Sequence, residues 1–101
     1  MVVISKTTLK SAIKSYPEAE QGLNSWYDLT KQSVWKNFNE MRKTFNSVDA
    51  VGNDRYVFNI KGNHYRLITL ILFKIRTVYI LFIGTHKEYD EVDAGTFTFK
   101  N

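Results

Sequence analysis

"RYVFNIKGNHYRLITLILFKIRTVYILFIGT", residues 55–85, decides the fold. At its start Tyr56, Phe58 and Ile60 interleave with Arg55, Val57, Asn59 and Lys61, the period-two pattern of a half-buried strand. Gly62-Asn63 interrupts it, and both residue types accept the positive φ that tight hairpin turns require. "HYRLITLILF" is expected to return antiparallel, "KIRT" to turn the chain again, and "VYILFIGT" to complete a three-stranded meander. The apolar run "LITLILFKIRTVYILFIG" does not read as a membrane span. Lys74 and Arg76 sit in its middle, and each half is strand length.

A two-residue turn at Gly62-Asn63 fixes a register. It places Lys61 opposite His64, Asn59 opposite Arg66 and Val57 opposite Ile68, all on one face. Phe58, Ile60, Tyr65 and Leu67 take the other face, where helices are expected to cover them. If the second hairpin closes on Ile75-Arg76, Arg66 lies opposite Thr85 and His64 opposite Lys87. "GTHKEYD" then reaches the same end of the sheet as the turn. Regular pairing sends His86 to the opposite face, but Gly84 is a cheap place for a bulge that turns it back.

Upstream, "VVIS" opens as a short β-rich run, and Leu9, Ala12, Ile13 and Tyr16 then recur at helical spacing until Pro17. Pro17 followed by Glu18 and Glu20 marks a second helix start, with Ala19, Leu23, Trp26, Tyr27 and Thr30 along one face. After Ser33 a further helical face is expected from Val34, Trp35, Phe38, Met41 and Phe45. Both tryptophans read as core on amphipathic helices. The order predicts an α+β domain spanning residues 1–101. It has a short N-terminal strand, two or three helices and a three-stranded antiparallel meander, with the helices packed on one sheet face.

At 101 residues the chain is near the lower limit for a self-sufficient core, and a hydrophobic content of 44% is enough to build one. It has no cysteine, which excludes disulfides and thiolate metal sites and fits a reducing compartment. No basic stretch leads into an apolar run with a small-residue cleavage site, so no signal peptide is expected. A cytoplasmic protein fits both. The net charge is only +4, but it is unevenly distributed. Arg55, Lys61, Arg66, Lys74, Arg76 and Lys87 fall in 33 residues that contain no Asp or Glu. Such a stretch suits either a polyanion-binding face or the solubilisation of sheet edges.

The chemistry open to the Asn59, Lys61, His64 and Arg66 patch is limited by what the sequence lacks. It has no Gly-rich phosphate loop, HExxH motif, nucleophile elbow or acidic cluster spaced for a metal. Metal-independent RNA cleavage needs only a base for the 2′-hydroxyl, an acid for the leaving oxygen, and cations for the crowded phosphate. His, Lys and Tyr suit the proton transfers, and Arg suits bidentate phosphate contact. Arg66, a charge inside an apolar strand, is the hardest member to explain as decoration.

"WYDLTKQSVWKNFNEMRKTF", "RYVFNIKGNHYRLI" and "GTHKEYDEVD" occur in that order between Trp26 and Asp93, and together they resemble the HigB family of bacterial toxins, RelE-like mRNA interferases. The resemblance implies a small α+β fold and an endoribonuclease that cleaves mRNA, typically on the translating ribosome. It also implies inhibition by a cognate helix-turn-helix antitoxin. Arg66 then looks like the arginine that contacts the scissile phosphate. His86, Lys87, Tyr89 and Asp90 look like the C-terminal motif that supplies acid, base and positioning groups. Lys61, His64, Asn59, Lys87, Arg55 and Arg76 are the expected RNA-binding residues, and no cofactor or metal is implied. The resemblance leaves open which residue is base and which is acid. Two rival functions remain at this point: a non-catalytic module docking on RNA, the ribosome or an acidic protein, and a same-fold toxin acting on DNA gyrase.

Overall fold

The structure is a computed structural model and describes residues 1–4 and 6–97. β1 (Val2–Ile4) leads into α1 (Lys6–Ser15), a single 3-10 turn (Pro17–Ala19), α2 (Glu20–Gln32) and α3 (Phe38–Thr44). The chain then runs through β2 (Asp49–Gly52), β3 (Arg55–Ile60), β4 (Tyr65–Leu72) and β5 (Thr77–Thr85) into α4 (His86–Asp90). Pro17 ends the first helical run as its missing N–H requires, and it opens the 3-10 turn before α2. α3 begins later than the apolar spacing suggests. Asn37 caps it by accepting from the Glu40 N–H at 2.9 Å, so Val34 and Trp35 lie in the preceding loop.

The α+β class holds, but the sheet is larger than a three-stranded meander. Among the described residues it is a five-stranded mixed sheet in the order β1-β5-β4-β3-β2, with β1 parallel to β5. β2 escapes the sequence pattern because "DAVG" is a short edge strand with one half-buried apolar residue, Val51. It turns into β3 through Gly52, Asn53 and Asp54, all at positive φ.

The first hairpin has the expected register, with Asn59 opposite Arg66 and Val57 opposite Ile68. Its ladder stops one pair early, at Ile60–Tyr65. Lys61 and His64 belong to the turn, closed by a 3.2 Å bond from the His64 N–H to the Lys61 carbonyl. The positive φ falls on Lys61 and Gly62.

The second hairpin departs from expectation. It closes through a 3-10 turn over Phe73–Ile75 and a left-handed Arg76, so Leu72 pairs with Thr77. The register then slips by one residue, because Ile68 faces Phe82 while Thr69 faces Ile80, leaving Leu81 as the extra residue of a bulge. Arg66 therefore lies opposite Gly84, not Thr85, and His64 has no ladder partner in Lys87.

The helices cover one sheet face, as expected. Leu9, Leu23, Trp26, Trp35 and Met41 pack there against Phe58, Ile60, Leu67, Ile71 and Val78. Both tryptophans are core residues, and Trp26 meets Phe58 edge-on with ring centroids 5.5 Å apart. Each large side chain buried this way contributes roughly 1.5–3 kcal/mol. The other face is partly covered too. After α4 the chain folds back, so Ala94 packs with Val57, Ile68 and Leu81, and Tyr89, Val92 and Phe97 flank them. Both layers meet at the end of the sheet that carries the β3–β4 turn.

Candidate functional site

The bulge at Leu81 decides what stands beside Arg66. Without it Ile83 would be opposite Arg66; with it the neighbour is Gly84. Gly84 is buried, and a Cβ added there would sit 2.7 Å from Phe82 Cζ and 3.0 Å from Glu88 Oε1. The Phe82 ring and Glu88 Oε1 occupy the space that a side chain on Gly84 would need. The half-buried Arg66 donates from Nη1 to the Asn63 carbonyl at 3.0 Å and to its neighbour's Tyr65 carbonyl at 3.4 Å. Its guanidinium lies 5.9 Å from the centroid of the Tyr89 ring. Among the described residues no carboxylate pairs with it, so its charge is held in place by neutral groups and remains uncompensated.

α4 exists because "THKE" is a capping box. Thr85 Oγ1 accepts from the Glu88 N–H at 3.1 Å, and Glu88 Oε1 accepts from the Thr85 N–H at 2.8 Å. The helix is locked to the hairpin turn by the His86 N–H, which donates to the His64 carbonyl at 3.1 Å. His86 therefore starts a helix rather than continuing β5, which is how it returns to the patch. Its Nδ1 lies 3.1 Å from Asp90 Oδ2, one helical turn on. When Nδ1–H donates to that carboxylate, Nε2 carries the lone pair and is the nitrogen open to a substrate proton.

Two tyrosine–glutamate bonds tie the helical layer to this end. Tyr16 donates to Glu88 Oε1 at 2.5 Å, and Tyr65 donates to Glu18 Oε1. The two tyrosine rings tilt against each other at 5.2 Å. The Tyr16 hydroxyl, followed by the Thr85 N–H, holds the Glu88 carboxyl below its ordinary range. The Tyr65 hydroxyl, followed by the Lys61 charge, does the same for Glu18. In return the bond to Glu18 pushes the Tyr65 phenol up to about 12. Lys61 Nζ lies 3.5 Å from Glu18 Oε2, so part of its charge is already answered within the chain.

Seven of the residues expected at the site gather here: Asn59, Lys61, His64, Arg66, His86, Lys87 and Tyr89. Arg55 and Arg76 do not. Arg55 pairs with Leu70 towards the far end of β4, and its guanidinium holds the Phe97 carbonyl at 3.1 and 3.2 Å. Arg76 lies in the β4–β5 turn at that far end. The supporting set of Tyr16, Glu18, Tyr65 and Glu88 was not singled out by sequence reasoning. Only Glu88 carried a readable signal, as the fourth residue of the capping box. Among the described residues no three His, Asp or Glu side chains are grouped to hold a metal ion. No helix among them is long and apolar enough to cross a membrane.

The arrangement brings one uncompensated guanidinium, one imidazole with an oriented ring and one phenol to the same end of the sheet. Such a set suits an anion whose oxygens must exchange protons. A model of the HigB toxin family, described as the RelE-like toxic component of a toxin–antitoxin system, matches residues 19–92. The chain is 30% identical over 92 residues to the "mRNA interferase toxin HigB" of Escherichia coli K12, spanning 89% of this chain and 88% of that relative. It is 31% identical over 94 residues to the "mRNA interferase HigB" of Escherichia coli O6:H1, spanning 91% of each. An "mRNA interferase HigB" of Shigella flexneri is 30% identical over 92 residues, 89% of this chain and 88% of its own.

Proposed function

The chain belongs to the HigB family of RelE-like toxins, matched over residues 19–92, and from that premise we propose that it is an endoribonuclease that cleaves mRNA. The RNA 2′-hydroxyl attacks the adjacent phosphorus. A side-chain base takes the hydroxyl proton, and a side-chain acid gives a proton to the departing 5′-oxygen. The products are a 2′,3′-cyclic phosphate and a free 5′-hydroxyl. Arg66 contacts the scissile phosphate and stabilises its growing charge. His86 Nε2 and the Tyr89 hydroxyl share the proton transfers, with Asp90 orienting the imidazole. Lys61, His64, Lys87 and Asn59 hold flanking phosphate and sugar, and no step is assigned to a metal.

The observation that carries this reading is Arg66. It is half-buried, unpaired with any described carboxylate, and set against the Tyr89 ring. The proposed substrate is mRNA on the translating ribosome in the cytoplasm. The toxin–antitoxin family implies a cognate antitoxin, which we take to be a helix-turn-helix protein.

The test is cleavage of mRNA on programmed ribosomes. The parent chain is expected to leave discrete new 5′ ends, while Arg66→Ala and His86→Ala remain folded and leave none. An Arg66→Ala protein as active as the parent would remove the assignment. Growth arrest with intact mRNA would instead favour a non-catalytic ribosome binder, or, if accompanied by DNA damage, a toxin of gyrase.

A further inference from the structure

The end of the sheet away from Arg66 carries a second surface. β4 separates the two ends by its eight residues, roughly 25 Å at strand rise. At the far end the β4–β5 turn, the loop after α2 and the start of β1 come together. The Val2 N–H donates to the Arg76 carbonyl at 2.7 Å, and the Met1 nitrogen donates to the Lys31 carbonyl at 3.3 Å and to the Ser33 carbonyl. Between them lies a cleft of ≈ 280 Å³ lined by Val34, Trp35, Lys36, Phe73, Lys74 and Arg76.

Two properties of this surface point to a ligand. Val34 lines the cleft and is 60% exposed; at the same end of the molecule Ile75, between Lys74 and Arg76, is 59% exposed and Val2, whose N–H holds the Arg76 carbonyl, is 57% exposed. Single exposed aliphatics need no explanation, but grouped ones mark contact surfaces. Second, Lys36, Lys74 and Arg76 rim the cleft, and none has a carboxylate partner within 4.0 Å among the described residues. The acids on this side are Asp54, which lines the adjoining cleft with Ile71, Leu72, Phe73 and Lys74, and Glu40, whose Oε1 accepts from the Lys36 N–H at 3.0 Å, against three cations on the rim. Net positive charge around an apolar opening is complementary to a segment that is apolar at its centre and acidic at its flanks. A nucleic acid fits less well. Single-stranded RNA sites present aromatic faces for stacking, whereas here Trp35 is buried, Phe73 is half-buried and the most exposed apolar side chain of the lining is the aliphatic Val34.

We propose that this cleft is a protein-docking site whose occupant is a segment of a partner chain, with a large apolar side chain seated between Val34 and Phe73 and Asp or Glu residues meeting Lys36, Lys74 and Arg76. It deepens the antitoxin part of the reading above by stating where a protein partner docks and what chemistry it presents. It does not depend on which residues cleave RNA.

The test uses the full chain labelled with nitrogen-15 and three probes. These are a peptide with two leucines flanked by glutamates, the same peptide with lysines in place of glutamates, and an oligouridylate. The acidic peptide is expected to shift the backbone amides of Val2, Val34, Lys36, Lys74 and Arg76, leaving those of Arg66 and Tyr89 in place. The doubly substituted Lys74→Glu, Arg76→Glu chain should bind it at least about tenfold more weakly, and Val34→Ser should weaken it without altering charge. Shifts of these amides by the oligouridylate alone would overturn the inference in favour of an RNA surface. Concentration-dependent shifts without any probe would overturn it in favour of a second copy of the chain. Equal binding of both peptides, or of neither, would also overturn it. The antitoxin reading is tested separately, by rescue of growth on co-expression, and can survive each of these failures.

Discussion

The Tyr16 hydroxyl donates to Glu88 Oε1 at 2.5 Å, joining residues 72 apart in the chain. Glu88 also closes the capping box that makes α4 a helix, so a single carboxylate both shapes the element bearing His86 and Tyr89 and docks it on the helical layer. Tyr16→Phe removes the docking bond and keeps the capping box. We expect kcat to fall about tenfold with little change in KM, because geometry is lost while the RNA contacts remain. The bond is exposed, so the stability cost should be only about 0.5–1 kcal/mol. Single-turnover cleavage alongside urea unfolding measures both. A loss of stability with unchanged kcat would show that the bond does not position the site.

Tyr65 and Glu18 give this end of the molecule a pH dependence with opposite limbs. The Tyr65 phenol is raised to about 12 from 10.0. Its neutral form is thus favoured in the folded chain, and that contribution is complete below pH 10 and lost as pH rises towards 12. Glu18 and Glu88 are lowered from 4.5. Their contribution is present above the ordinary carboxylate value and lost as pH falls through their lower folded values. Urea unfolding across pH should therefore show a plateau between the limbs. Tyr65→Phe is expected to reduce the alkaline limb, leaving the share of Tyr16 and Tyr56, whose phenols are raised by the bond to Glu88 and by burial. It should also soften the acid limb, since Glu18 loses its first partner. A Tyr65→Phe chain with the parent's alkaline limb would show that the bond to Glu18 contributes nothing.

Gly84 and Gly62 separate a steric from a conformational requirement. At Gly84 a Cβ meets the Phe82 ring at 2.7 Å, and that ring is itself packed edge-on against Phe97 at 5.4 Å. Gly84→Ala should cost about 1–3 kcal/mol through overpacking and should lower cleavage by pushing on Glu88, whose carboxyl closes the capping box of α4. At Gly62 nothing lies within 4 Å, but φ is +63°. Gly62→Ala should cost about 1 kcal/mol through backbone strain and leave kcat unchanged. Thermal unfolding and cleavage assays on the two variants distinguish these effects. Equal loss of activity in both would remove the special role of the close packing of Phe82 and Glu88 over Gly84.

How much of this was legible in the sequence depends on which residues carried a period. β3 and the start of β4 showed strict alternation around Gly62-Asn63, and the pairing of Asn59 with Arg66 followed. β5 is apolar throughout, so nothing in its pattern marks Leu81 as the extra residue. The bulge is set by packing, with Leu81 and Phe82 both serving the second core. The longer turn through Phe73–Ile75 and Arg76 moved the register by two residues and the bulge restored one, so Gly84 stands in the place expected for Thr85. β2 was invisible because an edge strand contributes little apolar surface. Arg55 was grouped with the site on charge alone, yet its guanidinium anchors the Phe97 carbonyl. Composition reports charge but not what the charge is already holding.

Asp90 offers the sharpest test of how His86 works. The carboxylate lies 3.1 Å from Nδ1, and both side chains are more than half exposed, at 52% and 60%. An exposed pair of this kind contributes little to stability, so its value lies in fixing the tautomer that leaves Nε2 free. Asp90→Asn keeps the size of the side chain, but its amide can present N–H or oxygen to the ring and no longer selects one tautomer. Stability should change by less than about 0.5 kcal/mol, while kcat falls on the order of tenfold and KM is unaffected. His86→Gln should slow cleavage by roughly 10²–10⁴-fold, and combining it with Asp90→Asn should cost nothing more, because the second residue acts only through the first. Measuring the four forms of this cycle by single-turnover kinetics decides the matter. Additive losses would mean that Asp90 acts on the RNA itself, and an unimpaired Asp90→Asn chain would mean that the ring is oriented by the helix alone.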